Sequence, residues 1–155
     1  MNQFALWQEI AADTAKLGYA GKTDVEVATL LNQKRAVDLG PKLLNKREVL
    51  DAIGEEARIT AWIDAALATS PQTEEIHNAA VTLDEYAGSD AVSMVVGSLC
   101  RKAVETLVAK GVFTAANLTA LATAARDVRQ LSRAEELGLP FIGSHHVATV
   151  RGQYG

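Results

Sequence analysis

Cysteine, aromatic side chains and positive charge are all scarce in this chain of 155 residues, and each scarcity excludes something. A single cysteine, Cys100, rules out an intrachain disulfide and a cysteine-built metal cluster. Its neighbours Val96, Gly97, Ser98 and Leu99 read as a buried helix face, which implies a packed, inert thiol. Aromatics make up only 5% of the residues, so Ala, Leu and Val must supply most of the core. The net charge of −4 argues against bulk attraction to nucleic acid or to anionic lipid, although a local basic patch stays compatible with it. Apolar runs fall far short of the ~20 residues that span a bilayer. The first residues carry acid and no basic stretch, unlike a secretory signal. The expectation from these features is that the protein stays in the compartment where it is made.

What the sequence does have is a succession of helix signals. A hydrophobic content of 48% fits a globular chain, and this length is enough to bury a core without staples. Trp7, Ile10, Thr14 and Leu17 share a stripe in a first helix expected over residues 4–17, with Gly18 as its stop. Thr23 and Glu26 form a capping box opening a helix over residues 24–32. Residues 33–44, broken at Gly40-Pro41, read as a connector. Asn45 and Glu48 form a second capping box before Val49, Leu50 and Ile53. A helix over residues 55–69 presents Ile59, Trp62, Ile63, Ala66 and Leu67, and Ser70-Pro71 stops it. Thr73 caps the next, which ends at Gly88.

The widest apolar stripe, Val92, Val95, Val96, Leu99, Cys100, Ala103 and Leu107, predicts a central helix running from Asp90 to about Lys110. After Gly111, Thr114 caps a helical repeat through Leu118, Leu121, Ala125, Val128 and Leu131, reaching Leu137-Gly138. Pro140 breaks the chain, and a short helix closes it over residues 144–151. The expected fold is all-α, a compact bundle of about seven helices in a single domain over residues 1–155, with residues 1–44 as a looser N-terminal helical subdomain. Trp62 is expected to anchor the core.

Chemistry-bearing patterns are few. His145-His146 are adjacent and point about 100° apart on a helix, so they do not converge on one metal. The doublets Glu55-Glu56, Glu74-Glu75 and Asp84-Glu85 read as solvated carboxylates, mostly in first turns. Glu135-Glu136 lies near an expected C-terminus and does not fit that reason. Arg126, Arg129 and Arg133 fall on one expected helix face and, with Lys34-Arg35, form the candidate interaction surface. Gly18 to Thr23 ends like a phosphate loop, but its first glycine is two residues too close and no strand precedes it. Residues 23–32 look like the first helix of a helix-turn-helix, yet no recognition helix follows a short turn. No catalytic residue, metal ligand, cofactor or small-molecule substrate is implied.

Two segments are familiar. Gly18-Tyr19-Ala20-Gly21-Lys22-Thr23, continuing through Asn32, resembles the opening of a family of small uncharacterised helical proteins of tailed bacteriophages. Ser132-Arg133-Ala134-Glu135-Glu136-Leu137-Gly138-Leu139, followed by Val147-Ala148-Thr149-Val150-Arg151, is similar to that family's closing segment. The matched residues cover under a quarter of the chain. The resemblance implies a late-gene, non-enzymatic virion structural or assembly component, located in the virion or in the host cytoplasm. Its partners would be other phage structural proteins or further copies of itself. The alternative is a phage regulatory or anti-host protein that binds DNA or a host factor through local basic patches.

Overall fold

The computed structural model describes residues 1–67 and 73–155. The expected stop at Ser70-Pro71 lies outside the described residues. Among those described, the chain is mostly helical, with nine helices and a two-stranded sheet. It divides into two compact units, one made of Met1–Val37 with Val128–Gly155, the other of Asp38–Asp127.

In the first unit, α1 (Gln3–Ala12) and α2 (Asp24–Asn32) both pack on the last helix, α9 (Ser144–Tyr154), and α2 also meets the short α8 (Arg133–Glu136). Leu6, Tyr19, Val27, Leu31, Ile142, Val147 and Val150 are the heart of its core. Helix α1 ends well before the expected Leu17. Asp13 adopts a left-handed conformation (φ 43°), and its carboxylate accepts the N–H groups of Leu17 (2.7 Å) and Gly18 (2.8 Å). The aspartate thus offers the backbone partners that a further helical turn would have supplied. Helix α2 starts at the expected Thr23–Glu26 capping box.

In the second unit, α3 (Lys46–Ile53), α4 (Glu56–Leu67), α5 (Glu74–Gly88), α6 (Leu99–Ala109) and α7 (Ala115–Ala124) surround one core. Trp62 is buried in it, donates its indole N–H to the Ala80 carbonyl at 3.0 Å, and meets Phe113 edge-on at 6.1 Å. Burying so large a ring with its one polar atom satisfied makes it an anchor in the expected sense.

The fold departs from an all-α bundle in two places. The central helix does not begin at Asp90. Residues 90–98 are irregular, and Val92 instead exchanges backbone hydrogen bonds with Leu44 at 2.9 and 3.1 Å. Gly97 has a φ of +91°, which interrupts any helix, and Ser98 caps α6 by accepting the Arg101 N–H. The apolar stripe of that segment is continuous, but its β-branched valines serve equally well in extended chain.

The second departure is the sheet. The helix expected from Thr114 to Leu137 stops at Ala124; β2 (Arg126–Leu131) follows and pairs with β1 (Arg35–Pro41), a segment read as a connector. Lys42, just beyond β1, donates to the Ala125 carbonyl just before β2 at 2.8 Å, so the strands run antiparallel. Ser132 then starts α8, with Glu135 completing a capping box.

Candidate functional site

The residues expected to form a basic interaction surface do not share a helix. Arg126 and Arg129 stand on β2, Arg133 opens α8, Arg35 begins β1 and Lys34 precedes it. The one-face arrangement of Arg126, Arg129 and Arg133 depended on a helix that is not there.

Most of these cations are answered by carboxylates of their own unit. In the second unit, Arg126 binds Asp38 at 2.8 Å. The Gly40 N–H, and then Arg126, hold the Asp38 carboxyl below the ordinary aspartate value. In the first unit, Lys34 binds Glu135 at 2.9 Å and Arg35 binds Glu136 at 2.8 Å. Glu135 is held below its ordinary value, chiefly by the Ser132 N–H and then by Lys34.

The strongest of these arrangements is centred on Glu9, whose side chain is only 3% exposed. Arg133 grips it with two parallel bonds, Nε to Oε1 at 2.8 Å and Nη2 to Oε2 at 3.0 Å. The Tyr19 hydroxyl donates to Oε1 at 3.0 Å. Arg133 also reaches Glu136 at 3.7 Å, so a chain of alternating charge runs Glu9, Arg133, Glu136, Arg35. Burial and the Glu9 charge raise the Tyr19 phenol, while the bond to Glu9 raises Arg133. Both shifts keep the cluster in the protonation state that satisfies every partner. A buried bidentate pair of this kind is costly to break, because removing one partner strands a charge. It is a structural tie between α1 and α8 rather than an open anion site. The sequence held a signal for it: Glu9 sits on α1 close to the apolar stripe, where a charge needs a partner.

The Glu135-Glu136 doublet, out of place at a C-terminus, lies in the first turn of α8, where carboxylates oppose the helix dipole. His77 is occupied by the Ala65 carbonyl at 2.9 Å. His145 and His146 have their ring centroids 3.8 Å apart, and His146 Nδ1 accepts the Gly143 N–H at 3.0 Å. Among the described residues, no group of three or more His, Cys, Asp or Glu side chains could hold a metal ion. Burial raises the Cys100 thiol, in keeping with an inert side chain. Helix α2 is followed by β1, which removes the helix-turn-helix geometry.

Each unit carries an apolar groove that sequence reading did not find. In the first unit, a groove of about 700 Å³ lies between α2 and the segment entering α9, with Val25, Ala28, Phe141 and Ile142 among its walls. Asn32 fixes its floor: the side chain accepts the Ile142 N–H at 2.9 Å and donates to the Ile142 and Ala28 carbonyls. In the second unit, a groove of about 400 Å³ is lined by Pro41, Met94, Val95, Val96, Ala122 and Ala125, with Arg101 and Arg126 at its margin. Val96 is 79% exposed and Phe141 77% exposed. Such side chains gain nothing from water and mark contact surfaces when they line concave ground. No helix among the described residues is long and apolar enough to cross a membrane. Comparison with family models, curated proteins and solved structures found no match for the chain.

Proposed function

We propose that the chain is a non-enzymatic structural or assembly component of a tailed-phage particle, working through protein–protein contacts. The observation that carries the contact-surface part of this reading is the pair of grooves, each with a large apolar side chain left exposed at its rim, Val96 in one and Phe141 in the other. Burial of such groups against a partner is favourable at about 25 cal/mol per Å² of apolar surface. The resemblance of residues 18–32 and of the segments from Ser132 to Arg151 to small tailed-phage proteins supports the particle as the setting. Symmetric self-association is one natural way to cover these surfaces. The virion, or the host cytoplasm during assembly, is the corresponding location.

The pairing of Lys34, Arg35, Arg126 and Arg133 with carboxylates weighs against the regulatory, DNA-binding alternative. Phosphate binding by those groups would have to displace the existing partners. Mass spectrometry of purified particles and assembly intermediates tests the proposal. The chain should be present at a reproducible copy number, and its absence from both would refute the reading.

A further inference from the structure

The first turn of α9 is held by an unusual acceptor. Gly143 is the N-cap of this helix and has no side chain with which to cap it. The Gly143 N–H is itself bound by His146 three residues on, at 3.0 Å to Nδ1. In the capping boxes of α2, α3 and α8 a glutamate fills that third position, and in α7 it is Asn117. An N–H can only donate, so Nδ1 must be the unprotonated ring nitrogen. A histidine in this place works as an acceptor only while it is neutral.

Its surroundings all oppose a positive charge. The His145 ring lies against it with centroids 3.8 Å apart, and packs so closely over Gly143 that a Cβ there would stand 2.6 Å from it. The positive end of the α9 dipole is at the same place. Loss of water around the ring, then His145 and the amino group of Met1, hold His146 below the ordinary histidine value of 6.5. The carboxylates of the helices packed on α9 are engaged elsewhere: Glu9 of α1 with Arg133, Asp24 of α2 with Arg151, and Glu26 of α2 with the Thr23 N–H. None of them is placed to compensate a charged His146.

We propose that His146 is an acid-sensitive latch, which secures the first turn of α9 when neutral and releases it when protonated. Gly143 and Ser144 line the large groove of the first unit, so release of this turn alters one wall of that groove. The sign follows from the lowered value. The latch is intact above the unfolded-state histidine value and is lost as pH falls from there through the folded-state one.

The test is an NMR titration of the full chain from about pH 7.5 to pH 5, following the His146 ring nitrogens and the exchange of the Gly143 amide. Exchange is corrected for its intrinsic pH dependence. In the wild type, Nδ1 should titrate together with a loss of Gly143 protection of about five- to tenfold, the worth of a helix cap. His146→Asn, which keeps an acceptor as Asn117 does, should hold Gly143 protection flat across the range. His145→Asn should keep the transition and move it to higher pH, because one repelling charge is gone. An unchanged Gly143 amide while the His146 ring protonates would overturn the latch, as would an equal loss of protection in His146→Asn. The ring nitrogen shifts of the wild type alone decide the tautomer, whether or not a variant folds.

Discussion

Tyr19 joins a buried ring to a single charged hydrogen-bond partner. Its ring is buried and its hydroxyl donates to Glu9, a carboxylate already held by Arg133. Because the phenol is raised, the stability it contributes is fully present below the ordinary tyrosine value of 10.0 and is lost as pH rises above it. Tyr19→Phe keeps the ring and removes the donor. It should cost about 1.5–3 kcal/mol near neutral pH, as expected for a hydrogen bond to a charged group. The variant should also lose part of the alkaline fall in stability, which urea melts between about pH 8 and pH 11 would record. Trp62 is the matching apolar case. Truncation to Ala should cost about 3–5 kcal/mol in a chemical melt, whereas a superimposable curve would contradict its place in the core.

At the scale of elements, Gly97 separates two accounts of the same sequence. If residues 90–110 formed one helix, Gly97→Ala would stabilise it by about 1 kcal/mol. With a φ of +91°, an alanine there is strained, and the substitution should instead destabilise the protein by roughly 1–2 kcal/mol. Thermal melts give the sign directly. The capping boxes at Thr23 and Asn45 were legible because a Ser, Thr, Asp or Asn followed by Glu satisfies helix-end donors in any context. The box at Ser132 and Glu135 has the same form, but the apparent repeat running from Leu118 to Leu131 concealed it. That repeat was misleading at Val128 and Leu131, which meet a helical spacing and also fit a strand. Only pairing with β1, distant in sequence, decides between them, and local periodicity contains no term for a partner strand. Asp13 was similarly opaque, because its capture of the Leu17 and Gly18 N–H groups is a matter of loop geometry. The grooves were least legible of all, since concavity arises from the packing of elements and not from any motif.

At the scale of the molecule, the chain passes between its two units twice, at 37–38 and at 127–128, each time within a strand. Each unit has its own core and its own groove. On the function proposed here, the chain works through these apolar surfaces, while the buried charges hold the first unit together. The copy number of the chain in purified particles, compared between wild type and the double variant Val96→Asp, Phe141→Asp, tests this most directly. Both side chains are exposed, so the variant should fold with wild-type helicity. The wild type should be present at a reproducible copy number and the variant should fall at least about tenfold, since each buried aspartate would forfeit more than 1.4 kcal/mol of contact energy. Incorporation of the variant at the wild-type copy number would contradict that function.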